Sequence, residues 1–146
     1  MGLAMMVSGC DKHSSSNRDF NTDFELDAHS FGAESLELVG QRTGVTIPDG
    51  SHGLNLLNKG RQSDPSFIAK IEIPALSQET VAKEIERFPK SDTLVINSLA
   101  GKVSWWRSSN ATVRLERQFL RDRDYVHALL CEENGKWILY LEWAGR

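Results

Sequence analysis

At 146 residues with 40% hydrophobic content, the chain has enough apolar matter for one core and little for a second. Its 17 Lys and Arg against 20 Asp and Glu leave a net charge of −3, which argues against nucleic acid as a partner, because phosphate binding is driven by counterion release from basic surfaces. No apolar run approaches the roughly 18 residues of a membrane-spanning helix.

Met1 to Met6 supply neither a basic leader nor the full apolar stretch of about 7–15 residues that a signal peptide needs. Val7-Ser8-Gly9-Cys10-Asp11 follows, with short side chains just before the cysteine. That run resembles the lipobox of bacterial lipoproteins, a resemblance confined to the start of the chain. It implies diacylglycerol on the Cys10 thiol, cleavage before Cys10 and acylation of the new amine. Residues 1–9 would then be the remainder of a signal peptide entered late, and the protein would sit in the cell envelope with the membrane as partner through the lipid on Cys10. Each buried methylene contributes about 0.8 kcal/mol, so several acyl chains together anchor firmly. Asp11 resembles the inner-membrane retention signal of enterobacterial lipoproteins, but either membrane, on the periplasmic side, stays open. The alternative is a cytosolic domain with Cys10 unmodified and the first residues disordered.

Lys12 to Arg18, with three consecutive serines, is too polar to pack and reads as a tether spanning residues 10–19, ahead of a single globular domain over 20–146. Asp19, Asn21, Asp23 and Glu25 resemble the opening of a calcium loop, yet Phe24 stands where Gly is needed and Ser30 where the bidentate Glu belongs. The alternation of Phe24, Leu26 and Ala28 with acidic neighbours instead predicts an amphipathic strand. Gly32 to Arg42 predicts a helix with Leu36, Val39 and Leu38 inward and Gly44 ending it in a left-handed turn. Strands are expected at Val45 to Pro48, at Gly53 to Lys59 and at Phe67 to Pro74, the last with Phe67, Ala69, Ile71 and Ile73 on one face. A second helix should begin at Ser77, as cap, carry Val81, Ile85 and Phe88 on one stripe and stop at Pro89. Leu94 to Leu99, Thr112 to Leu120 and Tyr125 to Glu132 read as strands.

Asn134-Gly135 is a strong two-residue hairpin signal and places Glu133 opposite Lys136. Carried outward, the register pairs Cys131 with Ile138, Leu129 with Tyr140, His127 with Glu142 and Tyr125 with Ala144. One face then shows Val126, Ala128, Leu130, Trp137, Leu139, Leu141 and Trp143, which must be core, while the other is half polar. Closely spaced strands and two helices predict an α+β domain, an antiparallel sheet of five or six strands with about two helices on one face. The alternative is a small, incomplete β-barrel.

Three features could carry function. A cross-strand His127 and Glu142 pair could share a proton or orient a ligand, which keeps open a hydrolase acting on an envelope substrate, although a sheet-face ion pair is the plainer reading. No G-x-S-x-G elbow, His-Glu-x-x-His or paired cysteines accompany it, His13, His29 and His52 lack ligand spacing, and no pattern asks for a cofactor or metal. The segment from Gly101 to Arg123 carries six basic and two acidic residues, +4, leaving −7 for the remainder. With Trp105 and Trp106 leading into Arg107, Arg114 and Arg117, it could meet an envelope protein, an anionic glycan or a lipid headgroup. The Gly53-Leu54-Asn55-Leu56-Leu57-Asn58 stretch reads as an inner strand, and Cys131 in its apolar run as a small buried hydrophobe. Taken together, these residues predict a non-enzymatic, lipid-anchored envelope protein that binds a partner or ligand.

Overall fold

The computed structural model describes residues 19–61, 64–91 and 98–145. The lipobox-like run, all of the tether but Asp19 and most of the strand expected before Leu99 lie outside them. The chain runs β1 (Asp23–Leu26), α1 (Ala33–Thr43), β2 (His52–Lys59), β3 (Ser66–Ile73), a 3₁₀ turn (Ala75–Ser77), α2 (Gln78–Glu86), a second 3₁₀ turn (Leu99–Lys102), β4 (Thr112–Arg121), β5 (Asp124–Glu133) and β6 (Lys136–Ala144). The strands form one six-stranded sheet in the order β1-β2-β3-β6-β5-β4, every neighbouring pair antiparallel. The domain is therefore α+β, with an open sheet whose edges are β1 and β4.

Period-two patterning decides which side of the sheet each residue serves. Phe67, Ala69, Ile71 and Ile73 of β3 join Val126, Ala128 and Leu130 of β5 and Leu139, Leu141 and Trp143 of β6 in one core. Both helices press on this face through Val39 of α1 and Val81, Ala82 and Ile85 of α2, with Leu36, Leu38, Phe88 and Trp137 partly buried around them. Phe67 stacks on Trp143 at 5.3 Å, and Phe88 at the end of α2 stacks on Phe119 of β4 at 4.1 Å. The β5–β6 hairpin has the register expected from Asn134-Gly135, including His127 opposite Glu142 and Glu133 opposite Lys136. Gly135 and Asn134 take the left-handed conformation, φ 79° and 52°, that this turn demands.

Four local expectations are corrected. Val45 to Pro48 is not a strand: β2 already has a partner on each side, so the segment runs back beside α1, buries Val45 completely and turns through Pro48, whose carbonyl accepts from Ser51 N–H at 3.2 Å. Ser77 does not cap α2; it sits in the preceding 3₁₀ turn with helical φ and ψ and no side-chain cap bond. The first strand stops at Leu26, and Ala28 is exposed in a turn where the Asp27 carboxylate accepts from His29 N–H at 2.9 Å and Ser30 N–H at 3.2 Å. Leu99 opens a 3₁₀ turn rather than closing a strand.

Helix α1 ends as its sequence predicts, on Gly44 at φ 79°, where a residue with a Cβ would be strained. Gly53 serves close approach instead. The Phe31 ring lies against it, and a Cβ there would stand 2.2 Å from Phe31 Cγ.

Candidate functional site

Among the described residues one segment, Ser98 to Ala111, lies across the sheet's second face as a strap. Ser98 Oγ accepts from Ala100 N–H at 3.0 Å and starts the 3₁₀ turn. Leu99 then packs on Leu57 and Ile68, beside Val103, Trp105 and Trp106. Trp106 also joins a neighbouring cluster of Leu129, Cys131, Ile138 and Tyr140, tilted on Tyr140 at 5.0 Å and on His127 at 6.2 Å. Arg107 turns the chain at φ 51°, and Asn110 Nδ2 donates to Asn134 Oδ1 at 3.1 Å, tying the strap's end to the hairpin. The face read from sequence as half polar is thus a second, smaller core.

His127 lies within it, between two carboxylates. Its Nε2 is 2.7 Å from Glu116 Oε2 on β4, and its Nδ1 is 3.7 Å from Glu142 Oε1 on β6. The second oxygen of Glu142 accepts from Leu99 N–H at 3.3 Å, so one carboxylate holds both the imidazole and the strap. Glu142 is 2% exposed, whereas the Glu116 side chain is 40% exposed. Burial opposes the charged ring, but hydrogen bonds and charges from Glu142 and Glu116 outweigh it and hold the His127 pKa above its ordinary 6.5. The same two carboxylates, after burial itself, push the Tyr125 hydroxyl well above its usual range. An imidazole with a carboxylate at each nitrogen is an ion-pair clamp; to act as a general base it would first have to lose one of them.

A second polar cluster lies nearer the hairpin. Tyr140 donates its hydroxyl to buried Glu133, and Lys70 Nζ stands 3.7 Å from the other Glu133 oxygen. Burial and the Glu133 hydrogen bond raise the Tyr140 pKa strongly. Burial, with the Glu133 charge opposed by Arg107, pushes the Cys131 thiol up to about 11. Fully buried, Cys131 is the inert hydrophobe its sequence suggests.

The structure gathers His127, Glu142 and Trp106 in one place with Trp105 alongside, but it sets Arg114 and Arg117 elsewhere. Arg114 Nη2 is 3.3 Å from Glu79 Oε1, and Arg117 Nη1 donates to the Glu86 and Phe88 carbonyls at 2.9 and 3.1 Å. Arg121 Nη1 similarly donates to the Gln41 carbonyl at 3.0 Å. Arginines at the carbonyl ends of helices neutralise the negative end of the macrodipole, so much of the basic stretch fastens the two helices to β4. Arg107 remains exposed. Sequence reasoning missed Glu116 as a partner of His127, counting it only as one of the two acidic residues of the Gly101 to Arg123 segment. The β4–β5 hairpin register would have found it, since Gln118 stands opposite His127 and Glu116 shares that face two residues away.

Hollows open beside the sheet among the described residues. One of about 560 Å³ lies between α1 and the Val45–Ser51 segment and shares no residue with the His127 cluster. A smaller one, about 380 Å³, is bordered by Lys90, Ser91, Glu116, Arg117 and Gln118 and brings solvent to the outer carboxylate. Among the described residues no group of His, Cys, Asp and Glu is arranged to hold a metal ion, and no helix is long and apolar enough to cross a membrane. Comparison with protein-family models, curated proteins and solved structures finds no match to this chain.

Proposed function

We propose that the protein is a non-enzymatic, lipid-anchored cell-envelope domain that binds a partner through the strap. The Val7-Ser8-Gly9-Cys10 run carries this reading, and the polar Lys12 to Arg18 stretch supports it as a tether. A second support is chemical: both nitrogens of His127 face carboxylates, so the residue best suited to catalysis is engaged in holding the strap. The partner surface narrows to Trp105, Trp106 and Arg107, because Arg114 and Arg117 are committed to α2. An aromatic pair beside an exposed guanidinium suits an anionic group on an envelope protein, a glycan or a lipid headgroup.

Labelled-palmitate incorporation with membrane fractionation tests the anchor, comparing the wild-type gene, including its upstream codons, with Cys10→Ala. The expected result is label and membrane association in the wild type and neither in the variant. A soluble, unlabelled wild-type protein would point to the cytosolic alternative and remove the envelope reading.

A further inference from the structure

We propose that His127 is a pH-operated latch for the Ser98–Ala111 strap: its imidazolium fastens the strap to the sheet by way of Glu142, and loss of its proton lets the strap lift. This inference is independent of the lipid anchor. The groups facing the ring are Glu116 and neutral Gln118 from β4, Tyr125 from its own strand and Glu142 from β6. The strap contributes the Trp106 ring and, at Glu142, the Leu99 N–H. Beyond Glu116, Lys90 and Arg117 border the adjoining hollow.

A protonated imidazole carries an N–H on both nitrogens, so each carboxylate faces a donor and a positive charge, Glu116 at hydrogen-bond distance and Glu142 as an ion pair. A neutral one keeps a single N–H, so one carboxylate must face a lone pair. Glu116, 40% exposed, turns to water at little cost. Glu142 has no such exit, because it is buried and its second oxygen is held by Leu99. Among the described residues His127 is the basic group paired with it. Without the imidazolium, Glu142 becomes a buried anion without a counter-charge, a state relieved by proton uptake or by hydration. Hydration requires the Leu99 turn to lift, and with it Trp106, which shares a cluster with Leu99 and packs on the group of side chains that contains Cys131. Because the two carboxylates hold the ring's proton above its ordinary 6.5, release belongs to the alkaline side of that value.

Cys131 reports the latch. In the 146-residue chain carrying Cys10→Ser it is the sole thiol, and its iodoacetamide labelling rate can be divided into that of the same chain unfolded in urea at each pH, which cancels thiolate ionisation while the pH stays below both the ordinary thiol value of 9.0 and the raised folded one. Protection should fall several-fold between about pH 6 and about pH 8, as the imidazolium loses its proton above its ordinary value. Glu116→Gln removes a carboxylate at the exposed end and should move the fall to lower pH without depending on whether a His127 variant folds. Protection that stays level in both chains, a fall at the same pH in both, or one with the urea dependence of complete unfolding would overturn the latch.

Discussion

Replacing Glu142 with Ala should destabilise the domain by about 3–5 kcal/mol near neutral pH, the cost typical of removing one partner from a buried ion pair. The change leaves the Leu99 N–H without its acceptor and His127 with a carboxylate on one side only. Chemical denaturation followed by circular dichroism measures the effect. Glu142→Gln, which keeps an acceptor for Leu99 but no charge, should cost less. The pH dependence separates charge from packing. Since folding raises the His127 pKa, the stabilisation from its proton is complete below the unfolded-state value near 6.5 and is lost as pH rises through the folded value. The wild-type chain should therefore weaken on the alkaline side, and the difference between it and Glu142→Ala should shrink there. A difference that stays constant across that window would assign the whole effect to packing.

Trp106→Ala should cost about 3 kcal/mol, at the lower end of the range for buried tryptophans because the ring is only partly covered. Among the described residues Trp106 is the one side chain that packs on both second-face clusters, so its loss opens a cavity over Tyr140 and His127 together. Trp105 joins the Leu57, Ile68 and Leu99 group alone, and Trp105→Ala should cost clearly less. Equal losses for the two substitutions, in the same denaturation measurement, would mean that the strap is held by its general apolar content rather than by the seat of Trp106.

The β5–β6 hairpin was legible in full because a single strong turn signal fixes a register, and the register fixes every facing pair outward from it. The inner face of β3 and the stripe of α2 were legible by periodicity, each with one face apolar and the other charged. Where several local forces compete, the reading was less secure. Val45 to Pro48 has strand composition, but tertiary packing beside α1 and the full pairing of β2 deny it a partner. Ser77 has the chemistry of a cap, yet the chain enters α2 through a 3₁₀ turn from Pro74 that satisfies Ser77 N–H directly. The His127 and Glu142 pair followed from the hairpin. Its third member, Glu116, depended on a second hairpin whose Asp122-Arg123 turn gives a weaker signal and whose strand carries a bulge between Val113 and Leu115. The strap was least legible, since Leu99 to Ala111 has no regular period and is positioned by two tryptophans finding a sheet face that the sequence alone leaves uncovered.

At the centre of the second face, His127 is held between Glu116 and Glu142 beneath the strap. Titration of the His127 ring proton by NMR, read alongside the Trp106 indole N–H and the Leu99 amide, tests this most directly. The prediction is a midpoint above 6.5, with the Trp106 and Leu99 signals moving at that same midpoint. A His127 that titrates at or below its ordinary value, or a strap whose signals ignore the titration, would contradict it.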